Sequence, residues 1–133
     1  MKNNLFELKQ EDKYILLKIL VNKIDASNAL ELKQMFLSFK DHPEYPKNLI
    51  LNISEVKYID SSGLSAILVA HKVSLESNGI MILCGTSEHV MKLVKISQLD
   101  KILDLLPTEE EAIDAIFMKE LEKEFGTDDE IVE

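Results

Sequence analysis

Asp60-Ser61-Ser62-Gly63 places a carboxylate and two hydroxyls in successive positions, at the head of an apolar stretch that starts near Leu64. Short side chains of this kind accept hydrogen bonds from the free N–H groups of a helix N-terminus. The same N–H groups and the helix dipole favour added negative charge, so a hydroxyl at Ser61 is well placed to carry a phosphoryl group. Two readings follow. The four residues are a plain helix cap, or Ser61 is reversibly phosphorylated and the helix behind it grips a partner protein. Gly63 leaves the backbone there without a side chain to shield it.

Other chemistry finds little support. The glycine that a G-x-S-x-G nucleophile elbow requires before its serine is missing. His71 lies two or more turns along the same helix and cannot serve Ser61 as a base. His42 and His89 have no matching acid or hydroxyl constellation, and no pair among His42, His71, His89 and Cys84 has metal-ligand spacing on one element. With four glycines in the chain, neither a G-x-G-x-x-G nor a P-loop is present. We expect no catalytic centre, no metal and no cofactor.

The helix after Gly63 is apolar on more than one side. Leu64, Ile67, Leu68, His71 and Leu75 fall on one face; Ala66, Val69, Ala70 and Val73 fall on the next. A surface helix needs one apolar stripe only. Either the whole helix is buried under a neighbouring helix, or the small-residue face is exposed and docks a partner.

The elements that must hold this stretch read as follows. Leu5, Phe6 and Leu8 suggest a first strand, and Glu11-Asp12-Lys13 a hairpin turn. Tyr14 to Val21 is a buried strand rich in β-favouring residues. Asp25 caps a helix running to about Phe39, and the two prolines of His42-Pro43-Glu44-Tyr45-Pro46 enforce a loop. Asn48 to Ile53 is the third strand. The central helix spans about Ser62 to Ser77 and stops at Asn78-Gly79, a glycine stop signal. Ile80 to Cys84 is a fourth strand, Glu88 to Ile96 a helix, and Lys101 to Leu106 a short fifth strand. Pro107 and the acids that follow it start a last helix with Ala112, Ile113, Ile116 and Leu121 on its apolar stripe. From Gly126 an acidic tail is expected to fray. Alternating strands and helices after a hairpin predict an α/β fold: a mixed four- to five-stranded sheet with about four helices and right-handed crossovers. The domain is expected over residues 1–118, with a helical extension and tail over 119–133.

The chain has 133 residues and a net charge of -9, and all 15 of its basic residues are lysines. That balance argues against nucleic acid, whose backbone needs a basic patch. No apolar run approaches the roughly 20 residues that cross a bilayer. The N-terminus does not resemble a signal peptide, so the expected compartment is the cytoplasm. Cys84 is the single cysteine, which excludes an internal disulfide.

The stretch from Asn48 to Lys72, containing LILNISEVKYIDSSGLSAILVAHK, resembles the STAS family, the anti-sigma-factor antagonists of bacteria, with its strand, loop and D-S-S-G-L signature ahead of a helix. The likeness extends from about Leu5 to about Ile116. It implies that Ser61, directly after the aspartate, is the phosphoacceptor, with Ser62 the alternative. It implies a partner anti-sigma factor that is a serine kinase, bound by the unphosphorylated chain so that the sigma factor is released, and a metal-dependent serine phosphatase that resets the switch. The implied partner surface comprises Asp25, Asp60, Ser61, Ser62, Gly63, Leu64, Ala66, Val69, Ala70 and Val73. Asp25 matches a family aspartate after the second strand, and also reads as a helix cap. Asn22 and Ser65 stand where the family often has glycine. A STAS-type scaffold subunit of a larger signalling or transport complex is the alternative function, and a hydrolase a third. The oligomeric state is left open.

Overall fold

The computed structural model describes residues 1–132, with side chains through Phe125. Strands β1 (Phe6–Gln10) and β2 (Ile15–Ile19) form the opening hairpin, with Phe6 opposite Ile19 and Gln10 opposite Ile15. Strands β4 (Leu49–Asn52), β6 (Met81–Cys84) and β7 (Asp104–Leu106) then add in parallel, and the sheet order is β1-β2-β4-β6-β7. Two more short strands, β3 (Lys23–Ile24) and β5 (Tyr58–Ile59), pair in parallel as a separate ribbon. The helices are α1 (Ala29–Ser38), α2 (Ser61–Glu76), α3 (Glu88–Ile96) and α4 (Glu109–Val132). The mixed α/β sheet with its opening hairpin is the fold expected from the sequence. β3 and β5 were not expected: each is two residues long, too short for alternation to reveal.

Both faces of the sheet are covered, which is why β4 and β6 are apolar at nearly every position. On one face Leu17, Leu49, Leu51, Met81 and Leu83 pack with Leu32 and Phe36 of α1, Ala66, Ile67 and Ala70 of α2, and Val90 and Val94 of α3. On the other, Ile50, Ile82 and Cys84 pack with Ala112 and Ile116 of α4. Two buried asparagines at the ends of β4 fix α4 in place. Nδ2 of Asn52 donates to Glu109 Oε2 at 2.7 Å, and Nδ2 of Asn48 to Glu120 Oε2 at 3.2 Å. Asn48 also donates to the Lys13 carbonyl at 3.0 Å and accepts from the Ile80 N–H at 3.1 Å. Their polar groups are thus satisfied, as burial requires. The helix is continuous through positions 118 and 119. It runs on to Val132, where the acidic segment from Gly126 was expected to fray; the side chains of that segment lie outside the described residues.

One expected helix start and the role of one glycine are corrected. Helix α1 begins at Ala29, not at an Asp25 cap. Asp25 lies in the turn before it, where its carboxylate accepts from the backbone and side chain of Ser27. At the end of α2 it is Asn78, with φ 65°, that takes the left-handed conformation. Gly79 is required for close packing instead, since a Cβ there would stand 1.8 Å from the carbonyl oxygen of Lys47.

The sheet's edges are short or covered. Beyond β1 the first residues fold back, with Lys2 bridging Glu7 and the Leu8 N–H donating to the Met1 carbonyl at 2.6 Å. At the other edge β7 has three residues and starts on an exposed Asp104.

Cys84 is buried between β6 and α4, and burial, with Glu109 nearby, pushes its thiol up to about 11. An unfolded thiol ionises near 8.5. The folded chain therefore binds the proton more tightly, and the stability this contributes is lost as the pH rises from about 8.5 towards 11. At pH 8 an alkylating reagent should leave the native protein unlabelled and modify it fully in denaturant. Fast labelling of the native chain would contradict this burial.

Candidate functional site

The β3–β5 ribbon positions the Asp60-Ser61 stretch. Ile24 stands beside Ile59 in register, and both are buried. The next residues, Asp25 and Asp60, therefore leave the ribbon side by side. The ribbon continues into the helix: Asp60 N–H donates to the Ile24 carbonyl at 3.2 Å, and α2 starts at Ser61. Gly63 is buried against this junction, because a Cβ there would come within 2.7 Å of the Ile24 carbonyl oxygen. Its role is close approach, not an unshielded surface.

Asp60 is the N-cap. Its backbone is extended and its Oδ1 accepts from the Gly63 N–H at 3.0 Å. Ser61 is the first helical residue and is exposed, while Ser62 is half-buried. The capping role is thus filled by the aspartate. Asp60→Ala should cost about 1 kcal/mol, and thermal unfolding should show Tm falling by roughly 3 °C; an unchanged Tm would deny the cap its importance.

A second carboxylate stands nearby. Asn28 holds the Asp25 turn, accepting from the Asp25 N–H at 3.0 Å and donating to the Lys23 carbonyl at 2.9 Å. Hydrogen bonds from the Ser27 hydroxyl and N–H, then Lys23, hold the Asp25 carboxyl below the usual carboxylate range. On the other side of Asp60, exposed Tyr58 meets His89 edge-on, with ring centroids 5.0 Å apart. Ser61 thus stands at a positive helix end, directly after one acid and at the end of the ribbon where Asp25 also emerges.

The face of α2 that looks outward is not the expected one. Ala66, Ala70 and Val73 are buried, like Gly63, and Val69 and Leu64 are half-buried. Gly63, Ala66 and Ala70 are buried where α2 packs on the sheet and on α1, in one core with Leu32 and Phe36. The outward row is Ser61, Ser65, Leu68, Lys72 and Leu75, spaced four and three residues apart. Leu75 is exposed and Leu68 half-buried. Sequence reasoning put both leucines on the core side; Leu68 does pack partly against the core, and Leu75 does not. The polar members Ser61, Ser65 and Lys72 were the signal that marks the outward direction. His71, ten residues beyond Ser61, is about 15 Å away along the helix axis.

Known proteins share this fold. The sequence profile of the STAS domain matches residues 7–112. An anti-sigma F factor antagonist of Paenibacillus polymyxa is 30% identical over 67 residues, which is 50% of this chain and 57% of that protein. The match therefore spans a little over half of that relative. A proposed anti-sigma factor antagonist of Thermotoga maritima superposes with a TM-score of 0.74 at 27% identity, covering 84% of this chain and 93% of that one. The Bacillus cell fate determinant SpoIIAA in its phosphorylated form superposes with a TM-score of 0.64 at 22% identity, covering 84% and 98%. With its D-S-S-G-L turn at the head of α2 and a profile match over most of its length, this chain belongs to the STAS domain family.

Proposed function

We propose that this protein is a cytoplasmic anti-sigma factor antagonist that works by binding. Unphosphorylated, it docks the outward row of α2 on an anti-sigma factor that is a serine kinase, and the sigma factor is released. Phosphorylation of Ser61 by that kinase ends the complex, and a metal-dependent serine phosphatase restores it. The observation that carries this reading is the division of labour at the head of α2: Asp60 caps, so the exposed hydroxyl of Ser61 is free of that duty. The half-buried Ser62 is the poorer acceptor. Solved structures of SpoIIAA, in unphosphorylated and phosphorylated form, have the same fold.

The physics of the switch is local. A phosphate adds about -1.5 to -2 charges at pH 7. The helix N-terminus accommodates that charge, so the fold is undisturbed. Asp25 and Asp60 offer it no neutralisation, and a docked apolar surface would have to strip it of water without a matching cation. Incubation with the cognate anti-sigma factor and ATP, followed by peptide mass spectrometry, should place one phosphate on Ser61 and none on Ser61→Ala. Phosphate on Ser62 alone would move the acceptor. Its absence from chain isolated from native cells under every condition would favour a scaffold subunit, which needs no acceptor.

A further inference from the structure

Helix α4 presents a second surface, on the side of the sheet away from Ser61. Its inner face, through Ala112 and Ile116, is buried against Ile50 and Ile82. Its outer face carries four large apolar side chains among its charges. Phe117, Met118, Leu121 and Phe125 are 48%, 59%, 47% and 57% exposed. Residues 117, 121 and 125 recur every fourth position and form one stripe, with Met118 beside it. Met118 also lines an open groove of about 430 Å³ between α4 and β7, together with Ile80, Leu105, Leu106 and Ala115. Met118 is common to the groove and the exposed surface, while Phe117 also meets the Tyr14 ring edge-on, centroids 6.4 Å apart. Each half-exposed side chain forgoes about 1 kcal/mol of burial, and a contiguous exposed apolar surface marks an interaction site.

Charge indicates the occupant. Residues 109–125 carry seven acids and two lysines. Exposed Glu110, Glu111 and Asp114 precede the stripe, and exposed Glu122 and Glu124 flank it. Lys123 is taken up by Glu120 at 3.5 Å and by the Asn78 carbonyl at 3.0 Å. A two-fold pairing of α4 with a second copy would set acids against acids. We infer that this face binds a basic amphipathic helix of another protein, its apolar side on the 117–121–125 stripe and Met118, its lysines or arginines over the flanking acids. The surface lies across the sheet from the phosphorylation site, so its occupancy does not depend on the state of Ser61.

The test uses the full chain and a fluorescent leucine–lysine peptide patterned as an amphipathic helix of about five turns, with a scrambled peptide of equal composition as control. Fluorescence anisotropy should show the patterned peptide binding at least about tenfold more tightly than the scrambled one. Leu121→Gln with Phe125→Gln should remove that preference at an unchanged Tm, and Met118→Gln should reduce it should the double variant unfold. Ser61→Asp should bind the peptide as the wild type does. Equal binding of both peptides, or a preference that survives both sets of substitutions, would overturn the inference. So would sedimentation of the wild type as a dimer that the double variant dissolves, since a second copy would then be the occupant.

Discussion

Phosphorylated chain is expected to bind its anti-sigma factor about a hundredfold more weakly than the unphosphorylated chain, a difference of ~3 kcal/mol. Ser61→Asp should reproduce part of the effect, at least about tenfold, because it supplies one charge where phosphate supplies nearly two. Ser61→Ala should bind within about threefold of wild type, since it removes a hydroxyl and leaves the Asp60 cap intact. Thermal unfolding separates the switch from simple damage. An acid in the first turn of a helix is favourable, so Ser61→Asp should melt no lower than wild type. Equal affinity of the Asp and Ala variants, measured calorimetrically, would refute the mechanism. So would a loss of affinity in Ser61→Asp that tracks a fall in Tm.

The second large effect is on stability and comes from far outside the site. Gly79→Ala should lower Tm by about 10 °C, corresponding to ~3 kcal/mol. An added Cβ would meet the Lys47 carbonyl oxygen at 1.8 Å and its carbon at 2.4 Å. Both are backbone atoms where the loop enters β4, so no side chain can rotate away. The neighbouring Asn78→Gly is the control. Its left-handed φ of 65° is conformationally easy for glycine, and Tm should stay within about 2 °C. If the two variants melted alike, the close approach at position 79 would not be what the fold depends on.

How legible this was in the sequence varied with the physics. Helix α3 appears over Glu88–Ile96 as read, because a capping serine, Ser87, and a single apolar stripe, Val90 and Val94, point the same way. The sheet strands were readable because β-branched and leucine runs buried on both faces leave few polar residues to confuse them. At the head of α2 the capping Asp60 was legible, while the role of Gly63 was not, because the Ile24 carbonyl it packs against comes from a distant strand. The outer face of α2 was not. Hydrophobicity ranks leucine above alanine, so Leu75 was assigned inward with Leu68. What decides the matter is which side of α2 its neighbours cover: Ala66 and Ala70 are buried in the shared core, and Leu75 is exposed. Those neighbours come from elsewhere in the chain, and a periodicity within one helix carries no trace of them. The β3–β5 ribbon was invisible for a related reason: it exists because two distant dipeptides meet.

The margins of the sheet bear on how this protein tolerates crowding. One margin is occupied by the chain's own first residues, and the other is three residues long and begins with an acid. Neither offers the long open row of amide and carbonyl groups on which another molecule's strand would grow. Many copies held at high concentration should therefore remain separate, exchangeable units and not polymerise into fibres.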